Sequence, residues 1–248
     1  MAIEKFELVL DHSQRIAPNV LHMAFHRADG KALDFTPGQF LSFTFDVEGE
    51  IKRRSYSVAS VPGRDTTIDI AISYVEGGIA SKLLFNMQPG DKFPAMGPAG
   101  RLVMQEDPER KRYIFVGTGT GIAPYRAMLP AIAERLAQQP DFEVVVLQGV
   151  QYRQDVLYGD DFLQFANQHD RFQYRSHLSR EDLSQNAQAH ERPGYVQTEF
   201  KVLNLNPETD IVYLCGNPNM IDQAFLALTE EYKFATRDVR REKYISSN

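Results

Sequence analysis

Residues 112–124 read RYIFVGTGTGIAP. The first five residues form the apolar, β-branched and aromatic run that is typical of a buried strand. The glycines of the following segment predict a tight turn, and Pro124 suits the first turn of a helix. Because the N–H groups and the dipole of a helix N-terminus favour an anion, this order of elements predicts a phosphate-binding site.

The spacing of the glycines differs from that of two familiar phosphate-binding turns. Ile122 stands where a Rossmann G-x-G-x-x-G turn has its third glycine. The segment also lacks the Gly-Lys-Ser/Thr ending of a P-loop. The turn is therefore neither a Rossmann turn nor a P-loop, and a generic strand–helix turn is the alternative interpretation.

Strands and helices alternate in the rest of this half of the chain. This pattern predicts a parallel sheet with helices on both faces, and Pro130 should kink the first helix. We predict strands at 112–116, 142–148 and 210–215, and helices at 127–138, 160–167 and 220–232.

The first hundred residues have a β-rich pattern instead. Turn signals such as Pro37-Gly38 and Pro62-Gly63 separate the runs, and a short helix is predicted at 78–87. Together they predict a closed antiparallel barrel. The predicted strands of this part are 6–10, 20–25, 40–45 and 68–74.

The charged segment Gln105–Lys111 is the predicted domain boundary. We therefore expect a barrel domain at 1–104 and an α/β domain at 105–248. The fold class is β plus α/β.

Composition restricts the class of protein. The chain has 248 residues, 43% hydrophobic residues and a net charge of −6, which describes a soluble globular protein and disfavours nucleic-acid binding. No apolar run reaches the roughly 18 residues of a membrane helix, and the N-terminus lacks a signal-peptide core. Cys215 is the single cysteine, so neither an internal disulfide nor a four-cysteine iron–sulfur cluster can form. We expect a cytoplasmic monomer without a metal site.

A second motif, Arg54-Ser55-Tyr56-Ser57, lies in the barrel half. It combines a cation, an aromatic ring and hydroxyl groups, and alternate strand residues share one face. An exposed strand with a single arginine is the alternative interpretation. Downstream, Gly77–Ser81 opens the short helix, whose N–H groups could bind a phosphate or could simply form a turn with an N-cap.

Further candidates lie in the second half of the chain. Ser179-Arg180-Glu181 follows a β-like stretch, and Tyr195 lies in a glycine-containing turn. Residues 215–220 read CGNPNM, and 240–244 read RREKY. Taken singly, these residues could be surface groups, a core cysteine and a frayed tail.

In this order and at this spacing, the motifs resemble those of the bacterial-type ferredoxin–NADP⁺ reductase family. The resemblance implies that the R-x-Y-S motif and a G-x-x-S element hold FAD. It also implies that the G-T-G-T-G-I-A-P turn receives the pyrophosphate of NADP(H). The implied FAD ligands are Arg54, Ser55, Tyr56, Ser57, Gly78, Ile79, Ala80, Ser81 and Tyr244. The implied NADP(H) ligands are Thr118, Gly119, Thr120, Gly121, Arg153, Ser179, Arg180 and Tyr195.

The resemblance also implies a hydride-transfer centre framed by Ser57, Cys215, Glu242 and Tyr244. Family members of the plant type end at the tyrosine, whereas this chain continues through 245–248. The implied activity is hydride exchange between NADP(H) and FAD, coupled to single-electron exchange with ferredoxin or flavodoxin. Both carriers are usually acidic and would suit basic residues near the motifs: Lys52, Arg53, Arg237, Arg240, Arg241 and Lys243.

Two other functions remain open from the sequence. A flavin reductase would use free flavin, which the G-x-x-S element and the E-x-Y ending disfavour. The reductase subunit of an oxygenase complex is the second alternative, although this chain carries no fused cluster domain.

Overall fold

The computed structural model describes residues 3–47 and 49–244, so the predicted extension after Tyr244 lies outside the described residues. The strands are β1 (Glu4–Ala17), β2 (Val20–Arg27), β3 (Phe40–Val47), β4 (Glu50–Ser57), β5 (Ile68–Ser73), β6 (Lys92–Ala99), β7 (Arg112–Thr118), β8 (Glu143–Val150), β9 (Phe172–Leu178), β10 (Glu191–Pro193), β11 (Asp210–Gly216) and β12 (Val239–Lys243). The α-helices are α1 (Ile79–Phe85), α2 (Ala123–Ala127), α3 (Leu129–Gln138), α4 (Gly159–Gln168), α5 (Glu199–Val202) and α6 (Pro218–Leu226).

The described residues form two compact units. One takes in the described part of Met1–Met104 together with Ala123–Met128. The other takes in Gln105–Ile122 and the described part of Leu129–Ile245. Among the helices at 3–47 and 49–244, none combines the length and the apolar character that crossing a bilayer requires.

The first unit contains an antiparallel sheet with the strand order β4-β3-β6-β1-β2-β5. A bridge between Val58 and Ile70 joins the two outer strands, and the Ala59 N–H donates to the Asp69 carbonyl at 2.8 Å. The sheet therefore closes on itself. Its interior is filled by side chains such as Leu8 and Phe43, both 0% exposed, which explains why alternate residues of these strands are apolar.

The second unit contains a parallel sheet with the strand order β10-β9-β8-β7-β11-β12. The central strands are buried on both faces: Ile114 and Val116 pack into one cluster, while Tyr113 and Phe115 are equally inaccessible. Such burial requires the continuous apolar runs seen in the sequence. The predicted fold class is confirmed.

β6 and β12 are among the strands that were not predicted from the sequence. β6 contains Pro94, Gly97 and Pro98, which hide a strand pattern, yet it lies between β3 and β1. An irregularity in its pairing with β3 accommodates this composition. β12 at the end of the described chain is charged and short, and it forms a strand only because β11 offers it a partner.

The predicted helix at 127–138 is wrong at its start. The helical path breaks at Met128, so that Pro130 is the second residue of α3 instead of an interior residue. In the first turn of a helix a missing N–H costs no hydrogen bond. The proline thus separates two helices where a kink was expected.

Arg135 of α3 fixes the segment that precedes β7. Its guanidinium donates to the carbonyl oxygens of Gln105 and Asp107 at 2.8 and 2.6 Å, and to the Tyr113 hydroxyl at 2.5 Å. The guanidinium carbon also lies 4.3 Å from the Tyr113 ring centroid and 4.1 Å from that of Phe142. A single cation therefore satisfies backbone groups that have no strand partner.

We expect Arg135→Ala to lower the free energy of unfolding by about 2–4 kcal/mol, because it removes the charged donor to the Asp107 carbonyl and the two cation–π contacts with Tyr113 and Phe142. Urea unfolding monitored by circular dichroism measures the change. Arg237→Ala is the control, since the Arg237 side chain is 83% exposed and its loss should change stability by less than about 0.5 kcal/mol. Equal effects of the two substitutions would contradict the role of Arg135.

Candidate nucleotide and flavin sites

The glycine turn after β7 packs backbone against backbone. A short 3-10 turn, Gly119–Ile122, connects β7 to α2, and Gly119 has a φ of +53°. A Cβ on Gly121 would lie 2.3 Å from the carbonyl oxygen of Cys215. A side chain at this position is therefore excluded, and the turn lies directly against the end of β11.

The end of β11 in turn packs against Thr118 at the end of β7. Gly216 has a φ of +119°, and a Cβ there would lie 2.5 Å from the Thr118 carbonyl oxygen. The N–H of Asn217 donates to the Thr118 hydroxyl at 2.9 Å. Thr118, Gly119 and Thr120 are half-buried, and nothing lies within 4 Å of the position that a Gly119 Cβ would take, whereas Gly121 is buried. The turn therefore presents a backbone cradle at the carboxyl edge of the sheet, whose N–H groups suit a pyrophosphate.

The structure brings Cys215, Glu242 and Tyr244 together. β11 and β12 pair in a register that places Cys215 opposite Glu242, and the Tyr244 N–H donates to the Gly216 carbonyl at 2.8 Å. Burial, and next the charge of Glu242, raise the pKa of the Cys215 thiol, while a hydrogen bond with the Tyr244 side chain opposes them. The thiol is therefore protonated at neutral pH, and thiolate chemistry is disfavoured.

Ser179 and Arg180 follow β9 at the same edge of the sheet. The Ser179 N–H and hydroxyl both donate to the Val150 carbonyl, at 3.0 and 3.2 Å, and the Arg180 N–H donates to the Gln151 carbonyl at 2.9 Å. The Arg180 side chain is exposed and has no ion pair within the described ranges. Tyr195 is 70% exposed, as a ring that stacks on a base would be.

Arg153 lies in a different environment from Arg180. Its Nε and Nη2 donate to the two carboxylate oxygens of Glu191, at 2.5 and 2.7 Å, and Nη2 also donates to the Asn186 carbonyl at 2.9 Å. The Glu191 side chain is 1% exposed. Hydrogen bonds from Arg153 lower the pKa of Glu191 to about 2, so the carboxylate stays ionised and neutralises the arginine.

The flavin motif lies on β4 and the residue that ends it. Arg54 pairs with Phe43 of β3 and Tyr56 with Leu41, so both side chains leave the strand on one face. The Tyr56 ring packs edge-on against Phe43 at 5.2 Å between centroids, and burial raises the pKa of Tyr56 to about 12. A cation and a half-buried aromatic ring on one face fit a flavin dinucleotide.

The serines of this motif lie on the opposite face. The Ser55 hydroxyl lies 3.0 Å from that of Ser42, and Ser57 is 4% exposed. Ser55 therefore braces two strands, whereas Ser57 is held in a buried position at the end of β4.

The segment Gly78–Ser81 forms the start of α1. The Ser81 hydroxyl bonds the Val75 carbonyl at 2.9 Å and the Gly78 carbonyl at 3.0 Å, so it shapes the turn. Gly78 is the N-cap residue of α1 and has no side chain with which to cap the helix. Ile79 is 43% exposed, while Ala80 packs on the barrel core. The first turn of α1 leaves backbone N–H groups that suit a phosphate.

Comparison with known proteins assigns both halves of the chain to nucleotide-binding domains. Residues 7–104 match the oxidoreductase FAD-binding domain, and residues 115–225 match the oxidoreductase NAD-binding domain. The chain is therefore an oxidoreductase with one binding domain for each nucleotide. Ferredoxin–NADP reductase B of Sorangium cellulosum is 31% identical over 247 residues, which cover 97% of this chain and 98% of that protein. This chain belongs to the ferredoxin–NADP reductase family.

Solved structures share the fold. The ferredoxin NADP⁺ reductase of Neisseria gonorrhoeae, with bound FAD and NADP, is 22% identical and has a TM-score of 0.79, covering 97% of this chain and 99% of that one. The cytochrome P450 reductase of Amycolatopsis is 24% identical with a TM-score of 0.84, covering 99% of this chain and 71% of that one. No group of three potential metal ligands occurs within residues 3–47 and 49–244.

Two buried acids near the nucleotide site escaped the sequence analysis. Glu191 and Glu199 are each 4% exposed. Glu199 accepts a close hydrogen bond from Arg175, and its second oxygen lies 3.4 Å from Nε2 of His177. No motif marks these acids, because their partners lie far away in the sequence.

His177 is fully buried on β9, where it pairs with Gly149 of β8 and Arg192 of β10. Neither ring nitrogen has a hydrogen-bond partner among the described residues. Burial lowers the pKa of His177 to about 4, against the opposing effect of the Glu199 carboxylate. The imidazole is therefore neutral in the folded protein at physiological pH.

This depressed pKa predicts a specific pH dependence of stability. As the pH falls from about 6.5 towards 4, the unfolded chain protonates its histidine before the folded protein does, so stability decreases. Between pH 7 and pH 5, wild type should lose about 2 kcal/mol more than His177→Leu, since one pKa unit corresponds to about 1.4 kcal/mol. Urea unfolding at the two pH values measures this difference. Parallel losses in both proteins would show that His177 does not contribute.

Proposed function

We propose that this protein exchanges a hydride between NADP(H) and tightly bound FAD, and passes electrons singly to a separate ferredoxin or flavodoxin. The observation that carries the proposal is the backbone cradle formed by the glycine turn and Cys215-Gly216, beside which β12 places Glu242 and Tyr244. Membership of the family and matches to both binding domains support it.

Each part of the dinucleotide has a matching group in the second unit. The pyrophosphate lies against the Thr118–Gly121 turn, and the adenine stacks on Tyr195, whose ring is 70% exposed. Arg180 and Ser179 contact the 2′-phosphate, for which the planar fork of an arginine is well suited. The nicotinamide lies beside Cys215, whose protonated thiol orients the ring without attacking it.

The first unit holds the flavin. Arg54 contacts its pyrophosphate, Tyr56 packs on the ring system, and Ser57 provides a buried hydroxyl near the reactive nitrogen. The first turn of α1, shaped by Ser81, receives a second phosphate contact. The flavin supplies the redox chemistry, accepting electrons as a hydride and releasing them one at a time.

An acidic carrier protein is the expected electron acceptor. Lys52 and Arg53 are exposed on β4, and Arg237 is 83% exposed before β12. Arg240, Arg241 and Lys243 belong to β12, although the Lys243 amine already lies 2.6 Å from Asp222. Exposed cations of this kind accelerate association with a negatively charged partner.

The main test uses the purified protein under anaerobic conditions. FAD should co-purify, and its absorbance should bleach on addition of NADPH. Subsequent addition of ferredoxin or flavodoxin should restore the oxidised spectrum. A protein that binds no FAD and requires added free flavin would instead be a flavin reductase, and the proposal would be wrong.

A second test concerns the choice of nucleotide. Arg180→Ala should raise the KM for NADPH about tenfold or more, because a charge-assisted hydrogen bond contributes roughly 1.5–3 kcal/mol. The KM for NADH, which lacks the 2′-phosphate, should remain near its wild-type value. Steady-state reduction of ferricyanide measures both constants. Equal increases for the two nucleotides would exclude Arg180 as the 2′-phosphate ligand.

A further inference from the structure

The segment that carries Arg180 is irregular from the end of β9 to the start of β10. Most side chains of residues 180–189 are exposed, so the segment has little apolar packing of its own. Its conformation therefore depends on the polar contacts at its two ends.

Arg153 makes contacts at both ends. Its backbone N–H donates to the Glu181 carboxylate at 3.0 Å, next to the bond between the Arg180 N–H and the Gln151 carbonyl. Its guanidinium reaches the far end of the segment, where it binds Asn186 and Glu191. One residue thus links the part that carries Arg180 to the part that enters β10.

Glu191 completes this link. Besides its bidentate pair with Arg153, one carboxylate oxygen accepts from the Gln188 N–H at 2.8 Å. With the side chain 1% exposed, this ion pair is shielded from water on the acid's side. A bidentate arginine–carboxylate pair also has a defined geometry, which a single point contact lacks.

We propose that Arg153 and Glu191 form a strut that positions Arg180 for the 2′-phosphate, and that Arg153 is not itself a phosphate ligand. The proposal rests on the proposed function of Arg180. It makes Arg153 and Glu191 positioning residues that determine nucleotide specificity, and it replaces the role that resemblance to the family implied for Arg153.

Glu191→Gln separates the two roles by the sign of its effect. If Arg153 were a phosphate ligand, removal of the competing carboxylate would release its positive charge and strengthen binding of a 2′-phosphate. If Arg153 and Glu191 form a strut, the same substitution loosens the segment and weakens binding. Arg153→Lys is the second variant, because it keeps the cation but loses the bidentate pair.

The measurement is isothermal titration calorimetry of the FAD-loaded protein with adenosine 2′,5′-bisphosphate and with adenosine 5′-monophosphate. Both variants should raise the dissociation constant of the bisphosphate by about three- to thirtyfold and leave that of the monophosphate unchanged. Asp182→Asn is the matched control: it removes one negative charge from the same exposed segment without touching Arg153. Asp182→Asn should not weaken the binding of either ligand.

A double-mutant cycle tests whether the strut acts through Arg180. In an Arg180→Ala background, Glu191→Gln should have no further effect on the bisphosphate. Tighter or unchanged binding in Glu191→Gln, or an equal loss for both ligands, would overturn the strut. If Arg180→Ala by itself leaves bisphosphate binding unchanged, the proposed nucleotide site fails and the strut fails with it. If Arg180→Ala weakens the bisphosphate while Glu191→Gln strengthens it, only the strut is wrong.

Discussion

The close approach of the glycine turn to the end of β11 is the contact on which the rest of the nucleotide site depends. Any side chain at Gly121 would collide with the Cys215 carbonyl, and any side chain at Gly216 would collide with Thr118. Two neighbouring parallel strands can therefore end side by side with their backbones in close contact. Because phosphate oxygens bind to backbone N–H groups, the turn suits a phosphate without needing a charged side chain.

Pairing of β12 with β11 extends the same edge of the sheet. The parallel register carries Glu242 to Cys215, and Tyr244 follows with a backbone bond to Gly216. A thiol buried in this setting stays protonated, since burial and the neighbouring carboxylate both disfavour the thiolate. Cys215 therefore contributes to this edge through its shape and its hydrogen bonding, and not as a thiolate.

Electrostatics distinguishes the two arginines near the proposed 2′-phosphate position. Arg153 is neutralised by Glu191, whereas Arg180 is exposed and has no ion pair within the described part of the chain. Arg135, elsewhere in the second unit, serves the fold by donating to carbonyl groups ahead of β7. An arginine in the sequence thus does not predict phosphate binding until its ion-pair partners in the structure are known.

Local pattern was enough for much of the fold, as the apolar run of β7 and the helix α4 illustrate, and contiguous motifs were enough to indicate two nucleotide sites. The sequence by itself determined where glycine permits close backbone approach, because that property belongs to single residues. Only the tertiary structure decided that β6 and β12 are strands, that Pro130 lies in the first turn of α3, and that Glu191 neutralises Arg153. These outcomes depend on partners distant in the chain, and the free energy of a strand pair or a buried ion pair exists only when both members are brought together.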